Sequence, residues 1–128
     1  MLVLHGRTIK GGRGEGVALV SPEPVGFLGG VDPDTGLVIE PGHPLYGMSV
    51  VGRVLVFPTG KGSTVGSYTL YRLARNGLAP AAIVNAQSEA IVAVGAIIAD
   101  IPMVDQIDVT QISTGQHVVV DNGVVTVE

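Results

Sequence analysis

Residues 54–67 have the sequence Val-Leu-Val-Phe-Pro-Thr-Gly-Lys-Gly-Ser-Thr-Val-Gly-Ser. The apolar run at the start predicts a buried strand, and residues 68–77 predict a helix that ends at Gly77. A glycine-rich turn with a Ser-Thr pair therefore leads from a strand into a helix. Free backbone N–H groups and the positive end of the helix dipole are expected to meet at Ser63. This pattern is typical of an anion site, and the same donors would stabilise an alkoxide if Ser63 acted as a base.

Two interpretations of Ser63 stay open on this local pattern. In one, Ser63 or Thr64 serves only as the N-cap of the helix, since such turns are common in α/β proteins; in the other, the turn is an anion site. A P-loop is excluded, because that motif needs lysine directly before Ser or Thr and Gly62 intervenes after Lys61. The dinucleotide-binding fingerprint G-x-G-x-x-G also fails, because the third glycine, Gly66, comes one residue too late.

Composition narrows the class of protein. The 128 residues suit one domain, and 46% of them are apolar, which argues against disorder. With a net charge of −4 and no basic cluster, nucleic-acid binding is disfavoured. The chain has no cysteine, so it holds neither a disulfide nor a thiolate-ligated cluster. Its three histidines lack ligand spacing, so we expect no metal site in this chain. No apolar run is long enough to cross a bilayer and no signal peptide is visible, which predicts a cytoplasmic protein.

Strand signals outnumber helix signals along the chain. The predicted strands are residues 2–9, 15–20, 54–57, 81–85, 101–104 and a C-terminal pair over 116–127, in which Asn122-Gly123 predicts a type I′ hairpin. Two helices are predicted, one after Ser63 and one over 88–99, capped by Ser88 and buried on nearly every side. The Gly- and Pro-rich residues 22–45 predict a long irregular loop of the kind that is often functional. We therefore predict an α+β domain with β/β/α layering and two or three helices.

Three further side chains have both a structural and a functional interpretation. Lys61 is either a solvated loop lysine or a cation that lowers the energy of a Ser63 alkoxide. His43, before Pro44, is more typical of a structural hydrogen-bonding histidine than of a catalytic one. Asn85 ends a strand on the side where ligands gather in α/β folds, and it is equally able to cap the next helix.

Several blocks together resemble the small subunit, or swivelling domain, of the aconitase X family. The matching blocks are Gly29–Gly36, His43–Gly47, Pro58–Ser67, Asn76–Ile83 and the segment Ala90–Ala99, and they keep family order and spacing over about residues 24–104. The resemblance implies that residues 1–128 form a single swivelling domain that closes over a cluster-bearing large part. Archaeal two-subunit members of this family dehydrate mevalonate 5-phosphate to trans-anhydromevalonate 5-phosphate in a modified mevalonate pathway.

Site roles follow from the same resemblance. Ser63 matches the position of the serine that acts as base, and Lys61, Gly62 and Thr64 are expected to bind substrate. The aconitase motif places arginine after its serine, whereas Thr64 stands here, so that arginine's contact to a substrate carboxylate does not carry over. The resemblance also implies an iron–sulfur cluster held by a separate large subunit, in a heterodimer whose substrate is a small phosphorylated hydroxy acid.

Two alternative functions stay open. One is the small part of a hydroxyproline dehydratase, and the other is a non-catalytic docking module in which Ser63 only caps its helix. In the preferred interpretation the chain alone folds but shows no dehydratase activity. Its large subunit is then expected to cover an apolar patch near the loop Gly29–Leu45.

Overall fold

Eight strands and two helices make up the protein. The computed structural model describes residues 1–128. The strands are β1 (Leu2–His5), β2 (Arg7–Lys10), β3 (Arg13–Val20), β4 (Val54–Phe57), β5 (Ala82–Asn85), β6 (Met103–Asp105), β7 (His117–Asp121) and β8 (Val124–Val127). The helices are α1 (Gly66–Arg75) and α2 (Ala90–Ala99), with a short 3-10 turn at Val109–Gln111. The prediction of an α+β domain in which strands outnumber helices is confirmed.

The strands form one mixed sheet in the order β1-β8-β7-β3-β4-β5-β6-β2. Strands β3, β4, β5 and β6 run parallel, and the remaining neighbours pair antiparallel. The first and last strands of this order, β1 and β2, are consecutive in the chain and separated by Gly6 alone. The sheet therefore curls round until its two edges are joined covalently, which makes a near-barrel.

Strand β4 separates two hydrophobic cores, and all four of its residues are buried. Leu55 and Phe57 belong to the core that the helices cover, whereas Val54 and Val56 face the core inside the curled sheet. A strand with both faces buried has a continuous apolar sequence rather than an alternating one. Helices, central strands and curled strands thus stack in the predicted β/β/α order.

The segment 21–53 crosses from β3 to β4 without forming a helix or a strand. It nevertheless contributes buried side chains, including Phe27, Val31 and Val50, to the core beneath the helices. The prediction of a long irregular loop is confirmed, and this loop is packed as part of the helical layer.

Helix α2 departs from two predictions. Its N-cap is Glu89, whose carboxylate accepts from the backbone N–H groups of Ile91 and Val92, so the assignment of Ser88 as the cap was wrong. The helix was also expected to be buried on nearly every side. Instead, only Val92, Gly95 and Ala96 are buried. The reason is that this chain supplies packing partners for one side of α2 alone.

Both ends of the chain form the curled edge of the sheet. The predicted strand over residues 2–9 is interrupted at Gly6, where the chain changes from pairing with β8 to pairing with β6. The predicted hairpin is confirmed: Asn122 and Gly123 have φ values of 44° and 87°, as a type I′ turn requires. Neither helix has the length and apolar character needed to span a membrane.

Candidate functional site

The candidate site lies where the central parallel strands end. In parallel α/β sheets, ligands gather beyond the carboxyl ends of the strands. Here the turn 58–65 follows β4, Asn85 closes β5 and Asp105 closes β6. Both helices begin at the same edge of the sheet, because α1 follows β4 and α2 follows β5.

Ser63 is exposed in the turn before α1 and is held by local hydrogen bonds. Its Oγ accepts from the N–H of Val65 at 3.2 Å, and its carbonyl accepts from Gly66 at 2.8 Å. Ser63 therefore starts a tight turn that precedes the helix by three residues. Helix α1 begins at Gly66, two residues earlier than predicted. The N–H groups of Gly62, Ser63 and Thr64 make no hydrogen bond within the chain. Three consecutive free donors are thus available to an anion at this turn.

Gly62 has a φ of 108°, a value that side-chain-bearing residues rarely adopt. This conformation turns the chain between Lys61, which is tied to the loop below, and the exposed Ser63. The backbone of Lys61 donates to Val25, and Val25 in turn donates to Thr59. The base of the turn is therefore anchored to the loop 21–53, while its tip at residues 62–64 faces solvent.

Lys61 is paired with a carboxylate and is not only solvated. Its Nζ lies 2.9 Å from Oε2 of Glu40, and both side chains are partly exposed. Glu40 was not singled out by the sequence, because it lies 21 residues earlier in a stretch without motif. The pair links the loop 21–53 to the Ser63 turn, and it offsets the positive charge that Lys61 brings to the site.

Glu89 and Val92, at the N-terminus of α2, form the wall next to Gly60. A Cβ atom built on Gly60 would lie 2.5 Å from Cγ2 of Val92 and 2.8 Å from Oε1 of Glu89. Glycine is therefore needed at this position for close packing of the turn against α2. The proximity of Glu89 to the turn is visible only in the folded chain.

Asn85 is fully buried and ties two strand ends together. Its Nδ2 donates to the carbonyl oxygen of Phe57 at 3.0 Å, whereas its Oδ1 has no hydrogen-bond partner. It does not cap α2, which Glu89 caps. Asn85 thus holds the end of β4, from which the Ser63 turn starts.

His43 has the structural role that the sequence favoured. Its Nδ1 accepts from the N–H of Leu45 at 3.0 Å, and its Nε2 lies 3.0 Å from the carbonyl oxygen of Pro24. These partners fit a neutral ring with the proton on Nε2. The side chain is buried and joins two parts of the loop 21–53.

An ion pair between the buried carboxylate of Asp105 and the partly exposed Arg7, at the end of β6, was not foreseen. Asp105 accepts from Nε and Nη2 of Arg7, at 3.0 and 2.7 Å, and from the N–H of Ser88 at 3.1 Å. Burial raises the pKa of the Asp105 carboxyl, but the hydrogen bonds from Arg7 and Ser88 outweigh it and leave that pKa below its usual range. Through these hydrogen bonds, Asp105 holds β2 and the residues just before α2 against the end of β6.

A cavity of about 430 Å³ opens on the other side of Pro58. It is lined by Val20, Ser21, Pro22, Pro58, Val109, Thr110 and Ile112. Ser63 and Lys61 do not line it, so this cavity at the mouth of the curled sheet is separate from the Ser63 turn. No group of three or more His, Asp or Glu side chains is placed to share a metal ion.

Comparison with known proteins gives one consistent result. The family model described as the aconitase X swivel domain matches residues 3–128. The chain is 58% identical over 121 residues to the phosphomevalonate dehydratase small subunit of Methanocella arvoryzae, covering 92% of each chain. It is 56% identical over 127 residues to that of Thermococcus onnurineus, covering 98% of each.

A solved structure agrees with these relatives. The crystal structure of Thermococcus kodakaraensis aconitase X in its holo form superposes with a TM-score of 0.98 at 52% identity, covering 100% of this chain and 99% of that one. The chain therefore belongs to the aconitase X swivel-domain family.

Proposed function

We propose that this member of the aconitase X swivel-domain family is the small subunit of a hydro-lyase that dehydrates mevalonate 5-phosphate to trans-anhydromevalonate 5-phosphate. The observation that carries this proposal is the identity of 56–58%, over nearly the whole chain, to proteins named phosphomevalonate dehydratase small subunit. Those relatives are separate small chains of the same extent, which favours this activity over that of a fused hydroxyproline dehydratase.

The partner is a large subunit, in a heterodimer where residues 1–128 form one swivelling domain. With no cysteine and no cluster of metal-ligating side chains, this chain does not fit an iron–sulfur cluster. We assign the cluster to the large subunit, where its chemistry would be Lewis-acid activation of the leaving hydroxyl. What this chain contributes is a proton acceptor and contacts to the substrate's anionic groups.

We assign the proton acceptor to Ser63. The reaction must remove a weakly acidic proton beside a carboxylate, and a serine alkoxide is too costly for this in bulk water. The hydrogen bond from Val65 and the free N–H groups of residues 62–64 support the assignment, because such donors favour an oxyanion. Ser63 is exposed in the free chain, so closure against the large subunit is the step that would exclude water and strengthen these contacts.

Lys61, Gly62 and Thr64 are assigned to substrate binding. Gly62 and Thr64 offer free N–H groups, and Thr64 adds an exposed hydroxyl. Lys61 reaches the same turn with a cation that Glu40 holds in the free chain. A substrate phosphate or carboxylate would compete with Glu40 for that cation.

The test is Ser63→Ala in the complex reconstituted with the large subunit. Loss of a general base is expected to lower kcat by at least ~100-fold, while assembly and substrate affinity stay close to those of the wild type. Loss of the contact to Val65 is expected to lower stability by about 1 kcal/mol. The measurements are steady-state kinetics and thermal unfolding of the same preparations.

Thr64→Ala is the matched control, because it removes a neighbouring exposed hydroxyl from the same turn. It is expected to raise KM more than it lowers kcat, since Thr64 is assigned to binding. If Ser63→Ala keeps its turnover and only melts earlier, Ser63 is a turn-stabilising residue and the catalytic assignment is wrong.

A further inference from the structure

Helix α2 presents an apolar face to solvent. All ten of its residues are apolar, and it buries Val92, Gly95 and Ala96 against the protein. On the opposite side Val94, Ile97 and Ile98 are 50%, 48% and 45% exposed. A surface helix normally carries polar residues on its outer side. We call Ala90, Val94, Ile97 and Ile98 the α2 outer face.

The first turn of α2, where this face begins at Ala90, packs beside the start of α1. Ile91, in the first turn of α2, accepts a hydrogen bond from Ser67 Oγ at 2.7 Å through its carbonyl. A Cβ built on Gly66 would lie 3.5 Å from Cγ2 of Ile91. The N-terminal end of α2 therefore packs directly beside the start of α1, so a protein that covers Ser63 also reaches the first turn of α2.

Exposed apolar side chains are concentrated on this side of the molecule. Twelve of the fifteen large exposed apolar side chains lie on the helices, on the Ser63 turn or on the loop 21–53. They are Leu28, Leu37, Ile39, Tyr46, Met48, Val51, Val65, Tyr68, Tyr71, Val94, Ile97 and Ile98; the exceptions are Met1, Val3 and Val17. The three exceptions lie at the N-terminus, on β1 and on β3. A one-sided apolar surface around a candidate site marks an interaction surface.

We propose that the α2 outer face is a docking surface for an apolar strip of the large subunit. This inference rests on the proposed function, because it takes the large subunit as the partner that must cover Ser63. A helix of ten residues is about 15 Å long, so its outer face is far smaller than the ~800 Å² per partner of a stable interface. The face alone is therefore too small to hold two copies of this chain together. Together with the surface around Ser63, the α2 outer face forms the apolar side of a larger interface with the large subunit.

The test compares the same substitution on two sides of the molecule. Val94→Lys places a charge in the α2 outer face, and Val17→Lys is the matched control on β3, where Val17 is 43% exposed. Lysine has a higher helix propensity than valine, so the fold of α2 is expected to be kept. Affinity for the large subunit of the same organism is measured by calorimetric titration, and thermal unfolding of each isolated chain is recorded.

We expect Val94→Lys to raise the Kd for the large subunit at least ~30-fold, whereas Val17→Lys leaves it within about twofold. If Val94→Lys fails to fold, Ile98→Lys carries the same test on the same face. Unchanged affinity in the folded variant, with the wild-type chain still binding, overturns the inference and leaves the proposed function standing. A wild-type chain that does not bind the large subunit at all overturns the proposed function and the inference with it.

A second copy of this chain is the rival occupant. If the isolated wild-type chain is a dimer in sedimentation experiments and Val94→Lys makes it a monomer with full affinity for the large subunit, the inference is wrong.

Discussion

Asp105 links the stability of the protein to pH. Its folded-state pKa lies below its ordinary value because Arg7 and Ser88 hydrogen-bond the carboxylate against the effect of burial. The contribution of this group is therefore complete above its unfolded pKa of about 3.9 and is lost as the pH falls through the lower folded value. We expect Asp105→Asn to lower the free energy of unfolding at pH 7 by about 2 kcal/mol. The difference from the wild type should shrink below pH ~4, as measured by urea unfolding at several pH values.

Asp34→Asn is the control for this prediction. Asp34 also pairs with an arginine, Arg72, at 3.4 Å, but both side chains are largely exposed. Exposed pairs contribute little, so this variant is expected to stay within ~0.5 kcal/mol of the wild type at pH 7. If Asp105→Asn and the wild type lose stability in parallel on acidification, the account of Asp105 is wrong.

At the scale of single residues, the sequence was informative where the contact is local. The turn at Ser63 was predictable because strand, turn and helix follow one another within 25 residues. The partners of Lys61 and Arg7 were not, because Glu40 is 21 residues away and Asp105 is 98 residues away. Such pairs form only when the long loop and the curled edge of the sheet are in place. The role of Ser63 stays a prediction.

At the scale of elements, the packing of α1 against α2 depends on Gly95. A Cβ at this position would lie 2.7 Å from Cδ1 of Leu70 and 3.1 Å from Cα of Ser67. The second contact is to backbone, so the helices must move apart to admit a methyl group. We expect Gly95→Ala to lower the free energy of unfolding by about 1 to 3 kcal/mol, despite the higher helix propensity of alanine. Chemical denaturation of the isolated chain measures this change.

Gly66→Ala tests whether the expected loss of stability in Gly95→Ala comes from steric overlap rather than from the replacement of a glycine as such. Gly66 is also a buried helical glycine, but a Cβ there would meet Ile91 and Leu28 at 3.5 and 3.6 Å, which are ordinary contacts. This variant is expected to equal the wild type or to exceed it by up to ~1 kcal/mol. Equal stability of Gly95→Ala and the wild type would show that the helices are packed less tightly than described.

Whether a segment forms a helix or a strand was easier to predict than what that helix or strand contacts. The run 54–57 and the Asn122-Gly123 hairpin were predicted because their patterns are short and specific. The N-cap of α2 was misassigned because Ser88 and Glu89 are adjacent acceptors. In the fold, the Oγ of Ser88 accepts from Arg7 and its N–H donates to Asp105. The exposure of the α2 outer face was missed because a helix with an all-apolar sequence does not show which of its sides the same chain covers.

At the scale of the whole molecule, the layered α+β architecture was predictable, but the closure of the sheet was not. Residues 2–9 have the pattern of one strand, whereas in the fold they form β1 and β2 on the two edges of the sheet. Only long-range pairing decides this, since β1 joins β8 and β2 joins β6. The closure matters for the site because β2 carries Arg7 to the end of β6, beside the N-terminus of α2.

The closure of the sheet between β1 and β2 depends on Gly6. A Cβ at Gly6 would overlap the carbonyl oxygen of Asp105 and would lie 2.7 Å from Cγ2 of Val104. A backbone oxygen in a paired strand cannot move without opening the β2–β6 pairing. We therefore expect Gly6→Ala to lower the free energy of unfolding by about 3 kcal/mol or more, with faster hydrogen exchange in β2 and β6 than in β7 and β8. In Gly11→Ala, a matched control, the new methyl would meet only the Oδ1 end of the exposed Asn122 side chain, at 3.0 Å. That control is expected to stay within ~1 kcal/mol of the wild type, and a Gly6→Ala protein of equal stability would mean that the barrel closes without this contact.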